Sequence, residues 1–140
     1  MAYTAKHAAM ANSLRPNTLV AHLGIRYDVD EQGRLLAHMP VDERTHQPMG
    51  LLHGGATAAL AESLGSMGSA LLIDREKQAV VGIEVNANHM RGVRAGEVHA
   101  TGELVHQGRS THVWDVRVTD DEARLVAVCR LTNLIIDRKP

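Results

Sequence analysis

The chain has 140 residues, of which 44% are hydrophobic and 22% charged, a composition typical of one globular domain and not of a disordered or fibrous protein. Its formal net charge is -1 and only 2% of its residues are aromatic, so nothing general in it attracts a nucleic acid or an anionic membrane. We therefore expect a single domain over residues 1–140, with no nucleic-acid partner and no membrane partner.

Targeting signals and cysteine usage narrow the class further. The first fifteen residues lack the apolar centre of a signal peptide, and no apolar run approaches the ~20 residues that cross a bilayer. These features predict a cytoplasmic protein. The one cysteine, Cys129, lies in the apolar segment 125–129, which favours a small core residue over a reactive thiol.

The first third of the chain predicts short helices followed by a β-hairpin. Residues 1–15 are rich in Ala and Met and indicate a short helix, and residues 17–23 add another turn or two. Alternation of apolar and polar residues then predicts a hairpin over 25–39 that turns at 30–33. Residues 40–50 are polar, carry two prolines and predict a loop.

A long helix is predicted over residues 53–73. Leu60, Leu64, Met67 and Leu71 follow a helical repeat and predict its buried stripe. The opposite face carries small residues and one carboxylate, and a face this small invites close approach by a ligand or another subunit. Its members are Gly55, Ala58, Glu62, Gly65, Ser66 and Ser69.

Strand patterns fill the remainder of the chain, over residues 78–90, 98–105, 111–118 and 125–136. Consecutive strands joined by short connections require an antiparallel sheet. We expect these strands to form a meander, with the single long helix lying across one face of the sheet. The order of elements predicts the α+β class.

The long helix also carries the residues best suited to catalysis. It begins at Gly54-Gly55, and the uncovered N–H groups of a helix start suit a developing oxyanion, although close packing would also explain two glycines. Glu62 is the only carboxylate, and no Lys or Arg is present, between residues 53 and 73. A carboxylate in this position suits a nucleophile or a general base, with a structural contact to backbone as the alternative. Ser66, one turn further on, can share its site.

The spacing of Gly54 and Glu62 restricts how both can act. They are eight positions apart, which is about 12 Å along a helix that rises ~1.5 Å per residue. One reacting carbon cannot touch both groups if they belong to the same straight helix. A catalytic role for both therefore requires two helices from two subunits, so at least a dimer.

A second polar cluster follows the strand predicted over 78–90. Asn88, His89 and Arg91 crowd the end of that strand, and a Gly-Arg-Ser turn follows at 108–110. Arg, Ser and the free backbone N–H groups of a Gly turn suit a phosphate. Ordinary polar groups at the ends of strands would give the same pattern.

Nine histidines raise the question of a metal. His99, His106 and His112 fall on predicted strands and could meet in space. The sequence contains no His-Glu-x-x-His motif and no cysteine partner for them. Dinucleotide-binding, P-loop and nucleophile-elbow motifs are also missing. We expect neither a metal nor a cofactor.

Three segments together resemble a known family. Residues 47–55 (Gln-Pro-Met-Gly-Leu-Leu-His-Gly-Gly), 61–66 (Ala-Glu-Ser-Leu-Gly-Ser) and 80–91 are similar to the hotdog-fold thioesterases of the 4-hydroxybenzoyl-CoA (Arthrobacter-type) and phenylacetate-pathway group. The third segment looks most like the bacterial 1,4-dihydroxy-2-naphthoyl-CoA thioesterases and the paralogues that proofread enterobactin assembly. The resemblance runs from about residue 23 to residue 136.

The resemblance implies a sheet wrapped around the long helix, dimers paired into a tetramer, and an active site at the dimer interface that hydrolyses an acyl-CoA, with an aromatic acyl group favoured. It implies that Glu62 is the catalytic carboxylate, as nucleophile or as general base for water. The Gly54 N–H and the Gln47 side chain would polarise the thioester carbonyl. His53 would orient that end, and Ser66 would position water or the carboxylate.

The resemblance further implies a path for the substrate and for the pantetheine and nucleotide of CoA. The family has Ser before Arg at the later turn, whereas this chain has the reverse order at positions 109 and 110. The residues implied along the path are Gly55, Ser63, Gly82, His89, Arg91, Gly108, Arg109 and Ser110.

Two other functions are compatible with parts of the pattern. A hotdog hydratase or dehydratase acting on enoyl or hydroxyacyl thioesters usually has an Asp–His pair near the helix start, where this chain offers His53 without an adjacent Asp. A non-catalytic module that binds acyl-CoA would leave the thioester intact. Hydrolysis is the function that the Gly54 and Glu62 arrangement favours.

Overall fold

Alternating apolar residues build a six-stranded antiparallel sheet in the computed structural model, which describes residues 2–139. Its strands are β1 (Arg26–Val29), β2 (Leu35–Pro40), β3 (Gln78–His89), β4 (Glu97–Gln107), β5 (Thr111–Asp120) and β6 (Leu125–Asp137). The helices are α1 (Ala5–Ser13), α2 (Leu19–His22) and α3 (Gly54–Ala70). The predicted α+β class is confirmed, and α3 lies on the concave face of the sheet, in contact with every strand from β2 to β6.

The sheet order corrects the expectation of a simple meander. Strands β4, β5 and β6 do follow one another, but β3 lies at the far edge and pairs with β6 instead of β4, in the order β1-β2-β4-β5-β6-β3. Strand β4 is already paired on its other side with β2. The chain therefore crosses from β3 to β4 through residues 90–96, and this crossover lets the sheet close around α3 from both sides.

Helix α3 is the predicted long helix with slightly trimmed ends. It starts at Gly54, where the backbone N–H of Gly55 donates to His53 Nδ1 at 2.7 Å, so His53 caps the helix. Leu60 and Leu64 are fully buried, as their positions in the predicted stripe require. Met67 is only partly buried and packs at the edge of the same core.

The face of α3 expected to be open is in part buried, which corrects the prediction for Gly65 and Ser69. A methyl group at Gly65 would overlap Leu131 and lie 3.2 Å from Trp114. Ser69 has no exposed surface and receives a hydrogen bond from Trp114 Nε1 at 2.9 Å. The single-stripe interpretation fails here because the curled sheet covers more of the helix circumference than a flat sheet would. Glu62 and Ser66 stay partly open.

Cys129 belongs to the core, and the N-terminal segment packs against the sheet and α3. Cys129 is buried, which confirms its interpretation as a small core residue, and burial raises the pKa of its thiol to about 11. Helix α1 docks on β1 through the Asn12 amide, which makes two 2.9 Å hydrogen bonds to the Tyr27 backbone. The Tyr3 hydroxyl donates to the Gly68 carbonyl of α3 at 3.0 Å. Within residues 2–139 no helix has the length and apolarity needed to span a bilayer.

Candidate active site

Glu62 lies in a groove between α3, the start of β3 and the first two helices. This groove, which we call the acid groove, has a volume of about 520 Å³. Ser63 and Ser66 line it beside Glu62, and so do Arg75 and Arg138. Apolar side chains form its walls, among them Leu14, Leu19, Val20, Met67 and Ile73.

The Glu62 carboxylate is unpaired. It makes no hydrogen bond or ion pair with any of the residues that the structure describes, although its side chain is partly buried. The side chain lies against Gly82 on β3, where a methyl group would overlap Oε1. Residue 82 is therefore a place where only glycine leaves room for the acid. A partly buried carboxylate with no partner is available to act on a ligand.

The backbone next to Glu62 is held from the sheet side. The Tyr27 hydroxyl donates to the Ser63 carbonyl at 3.3 Å. Burial raises the pKa of Tyr27 to about 12, so this hydroxyl keeps its proton at neutral pH. Through this hydrogen bond Tyr27 stabilises the turn of α3 that carries the carboxylate. Tyr27 also lines the acid groove.

The start of α3 borders a second groove, the amide groove, of about 420 Å³. Gln47, Gly54, His89 and Arg91 line it together. His89 lies so close to Gly54 that a methyl group there would be 3.0 Å from Nε2. The structure therefore brings two predicted catalytic residues next to two predicted CoA-binding residues.

The hydrogen-bond donors of the amide groove are free to meet a ligand. The Gln47 side-chain oxygen accepts the N–H of Met49, so its NH2 group is turned away from the turn and remains a donor. The Gly54 N–H, at the first position of α3, has no acceptor among the described residues. Two donors near one helix N-terminus can stabilise negative charge on a carbonyl oxygen.

His53 and Gly55 face a different cavity. They line a pocket of about 270 Å³ together with Thr45 and His46. The Nδ1 atom of His53 already accepts the Gly55 N–H, so any proton on the neutral ring is on Nε2. His53 thus supports the helix start, and the structure does not bring it into either groove.

The acid groove and the amide groove are separate within one chain. They share no lining residue, and Gly54 and Glu62 lie on one continuous α3, about 12 Å apart along its axis at ~1.5 Å rise per residue. A single copy therefore does not bring the free N–H of Gly54 to the carboxylate of Glu62.

Six of the predicted substrate- and CoA-binding residues fall into three places. Gly82 lies at the acid groove, His89 and Arg91 at the amide groove, and the turn 108–110 at the β4–β5 connection. The Gly108 N–H donates to Thr111 and the Ser110 carbonyl accepts from Ile135, both at 2.8 Å. Since Ile135 pairs with Val80, which lines the acid groove, the turn lies near the Gln78 end of that groove.

Sequence reasoning missed the two cations of the acid groove. Arg138 Nε donates to the Gln78 carbonyl at 3.1 Å, and Gln78 is four strand positions from Gly82, or about 13 Å at ~3.3 Å per residue. Neither Arg75 nor Arg138 has a carboxylate partner among the described residues. The sequence showed only that Arg75 precedes one predicted strand and Arg138 follows another; the pairing of β3 with β6, which brings both to one end of the groove, was not predicted.

The three histidines singled out by sequence do not all meet at one place. His112 is buried on the core side of the sheet, 2.9 Å from Ser69 Oγ, and burial, followed by the charge of His106, lowers its pKa. His99 lies on the outer side, 2.7 Å from both His38 and Asp121. No group of three or more His, Cys, Asp or Glu side chains in residues 2–139 is arranged to hold a metal ion.

The chain is similar to known thioesterases in sequence and in fold. Residues 49–127 match the family model of the thioesterase superfamily. The proofreading thioesterase EntH of Klebsiella pneumoniae is 50% identical over 128 residues, which cover 91% of this chain and 93% of that protein. The crystal structure of a glutamine-to-alanine variant of thioesterase PA1618 from Pseudomonas aeruginosa has a TM-score of 0.90, with 46% identity over 94% of both chains.

Two crystallised variants of SAV0944 from Staphylococcus aureus are also similar. One lacks a glutamate and the other a glutamine, and their TM-scores are 0.82 and 0.80 at 42% and 43% identity. The alignments cover 86% and 87% of this chain and 100% and 98% of those chains.

The antiparallel sheet around one long helix and the similarity to solved thioesterases together identify a hotdog-fold thioester hydrolase. The chain belongs to the thioesterase superfamily. The resemblance noted in the sequence and the prediction of a thioester-hydrolysing enzyme are thereby confirmed.

Proposed function

We propose that the protein hydrolyses an acyl-CoA thioester to the free acid and CoA, with Glu62 as the catalytic carboxylate. The observation that carries this proposal is the unpaired carboxylate in a groove with apolar walls. As a general base, Glu62 removes a proton from the water that adds to the thioester carbon; the C–S bond then breaks and the sulfur leaves as the thiol of CoA. As a nucleophile, it would form an anhydride that water hydrolyses.

The amide groove supplies the second half of the site. The Gly54 N–H and the Gln47 NH2 are free donors and would stabilise the carbonyl oxygen as it becomes negative. Because these donors are remote from Glu62 in one chain, the proposal joins the amide groove of one copy to the acid groove of another. His53 supports the donors by capping the helix.

The free edge of β3 supports such a pair. β3 is a twelve-residue edge strand that pairs with β6 on one side only, and its apolar Val81 and Ile83 are 40% and 56% exposed. A long, exposed edge strand is a template for another strand. An antiparallel pair of two β3 strands places the His89 end of one copy toward the Gln78 end of the other, and so carries Gly54 toward the second copy's Glu62.

The spacing of Gln47 and Glu62 supports their joint role. The glutamine and the glutamate substituted in the two SAV0944 variants are fifteen positions apart, as Gln47 and Glu62 are here. The whole assembly would be a tetramer made of two such dimers, in the cytoplasm.

Charge and wall composition support an aromatic acyl-CoA substrate. Arg75 and Arg138 in the acid groove and Arg91 in the amide groove can meet the phosphates of CoA, as can the neighbouring turn that carries Arg109 and Ser110. The wall of the acid groove includes Leu and Met side chains, which pack well against aromatic rings.

The test is a hydrolysis screen over benzoyl-, hydroxyphenylacetyl-, naphthoyl- and fatty acyl-CoA with wild type, Glu62→Gln and Glu62→Ala. Loss of the catalytic carboxylate should reduce turnover by about 10²- to 10⁴-fold. The melting temperature should be kept, because the carboxylate has no partner to lose. Glu103→Gln on the outer face of β4 is the matched control and should retain wild-type turnover.

Two results would contradict the proposal. One is a wild-type protein that hydrolyses none of these CoA thioesters. The other is a folded Glu62→Gln variant that turns over as fast as wild type.

A further inference from the structure

A chain of buried polar side chains runs from Ser66 in the acid groove into the core. Its centre is Asn133 on β6, which has no exposed surface. Asn133 Oδ1 is 3.2 Å from Ser66 Oγ, and Nδ2 is 3.2 Å from the Gly65 carbonyl oxygen. The same Nδ2 is 3.1 Å from Ser69 Oγ, which in turn lies 2.9 Å from Trp114 Nε1.

The carbonyl of Gly65 fixes the orientation of the Asn133 amide. A carbonyl oxygen only accepts hydrogen bonds, so the amide atom that faces it must be the nitrogen. A flipped amide would bring its oxygen against the Gly65 carbonyl oxygen, two acceptors facing each other in a buried site, which is costly. The amide oxygen of Asn133 is thereby turned toward Ser66.

Trp114 fixes the hydrogen-bonding role of the next hydroxyl, that of Ser69, in the same way. Its indole N–H only donates, and the Asn133 NH2 also donates, so Ser69 Oγ accepts both hydrogen bonds. The single proton of Ser69 is left for His112 Nδ1, 2.9 Å away. A neutral His112 with its proton on Nε2 accepts it, in agreement with the lowered pKa of this buried ring. The hydrogen-bonding protons of Trp114, Asn133 and Ser69 are thus assigned.

These assignments determine the direction of the hydrogen bond that Ser66, in the acid groove, makes with Asn133. Both amide protons of Asn133 are used by Gly65 and Ser69, and Oδ1 can only accept, so the Ser66 hydroxyl must donate its one proton to Oδ1. Only the lone pairs of Ser66 then face the groove. We infer that Asn133 is a positioning residue that makes Ser66 a hydrogen-bond acceptor for the water that attacks the thioester.

This inference rests on the proposed function and assigns the roles within it. Glu62 and Ser66 are four residues apart and lie on the same side of α3. A water that donates one hydrogen to Ser66 and the other to the Glu62 carboxylate keeps a lone pair for the thioester carbon. Glu62 takes the proton as the C–O bond forms and the C–S bond breaks, and the proton passes to the sulfur. Ser66 has no free proton with which to hold a nucleophilic carboxylate. The direction of its hydrogen bond therefore favours the general-base route.

The experiment compares Asn133→Leu, Ser66→Ala and their double mutant on the CoA thioester that wild type hydrolyses best. Asn133→Leu keeps the branched shape of the side chain but removes the acceptor of the Ser66 proton, so Ser66 can rotate and no longer holds the water. We expect kcat to fall about 10- to 100-fold with KM unchanged, since the loss concerns orientation of the attacking water. The double mutant should be no slower than the slower single mutant.

A control and a second pair of variants keep the test decisive. Tyr3→Phe removes another buried hydrogen bond to α3, the one to the Gly68 carbonyl, and should lower the melting temperature while kcat stays at the wild-type value. If Asn133→Leu fails to fold, Ser66→Thr and Ser66→Val decide, because they have the same shape and only Thr has a hydroxyl. Ser66→Thr should retain kcat, and Ser66→Val should lose it.

The failures are distinguishable. A folded Asn133→Leu variant with wild-type kcat, or a Ser66→Val variant as fast as Ser66→Thr, would overturn the role of Asn133 while leaving hydrolysis by Glu62 intact. A wild-type protein without activity on any CoA thioester would overturn the proposed function itself.

Discussion

The side chain of Glu62 fills the space that a side chain at Gly82 would need. A methyl group at position 82 would overlap Glu62 Oε1, the free end of a flexible side chain. We expect Gly82→Ala to push the carboxylate aside without disturbing the fold. The displaced acid should lower kcat/KM by about 10- to 100-fold, as expected when a reacting group is moved by an ångström.

The measurement pairs kinetics with thermal unfolding. For Gly82→Ala, kcat/KM on the best CoA thioester should fall while the melting temperature stays close to that of wild type. A variant with full activity would show that the position of the carboxylate in this groove is not the one used in catalysis.

Gly68 should give the opposite result. A methyl group there would lie 2.6 Å from Trp114 Cζ2, and Trp114 is only 1% exposed and cannot move away cheaply. Overpacking of a filled core typically costs about 1–3 kcal/mol. We expect Gly68→Ala to lower the free energy of unfolding by this amount, measured in urea. At a temperature where the variant is folded, turnover should be retained, and an unchanged unfolding midpoint would contradict the packing described for Trp114.

A shared active site can be tested by mixing two inactive variants. Gly54→Pro removes the N–H at the first helical position, where proline fits a helix, and Glu62→Ala removes the acid. If the site joins two copies, random reassociation makes half of the dimers mixed, and each mixed dimer has one intact site. We expect about a quarter of wild-type activity in the mixture. Each variant alone should be inactive, and a mixture that stays inactive after proven subunit exchange would place both groups in one chain.

The sequence predicted the local structure better than the surroundings of the helix. The 3.6-residue repeat located α3 and its mid-helix acid, because periodicity and the lone charge are local signals. It also assigned Gly65 and Ser69 to the open face, which the structure corrects. Their burial depends on Trp114 and Asn133 from β5 and β6, strands whose placement around the helix no local pattern encodes.

The residues of the candidate site are likewise brought together by strand placement that no local pattern encodes. Gln47, Gly54, His89 and Arg91 do meet at one groove, and their meeting depends on β3 running back along α3 from Gly82 to the helix start. The crossover that places β3 at the sheet edge was not predicted, since a meander would satisfy the same strand pattern. Arg138 was missed for this reason, because its distance from the acid follows from the pairing of β3 with β6.

The lowered pKa values of His38 and His112 predict how stability depends on pH. Burial lowers the pKa of His112, and burial followed by the charges of His99 and Arg26 lowers that of His38, each from an ordinary value of 6.5. Asp28, Glu97 and Asp121 are the acids around the His38–His99 pair. A group whose pKa is lower in the folded state binds protons more readily when unfolded. Stability is therefore fully present above pH 6.5 and falls as the pH drops below it.

The measurement is the melting temperature between pH 7.5 and pH 5. Wild type should lose stability across the lower half of this range, before the carboxylates whose folded pKa values are held below 3.8, such as Asp42 and Asp120, begin to titrate. His112→Gln removes one of the two groups, so its melting temperature, although lower at pH 7.5, should decline less steeply. His38→Gln should flatten the decline in the same way, and the double mutant should flatten it further. Equal slopes in all four proteins would show that neither ring is held neutral in the folded state.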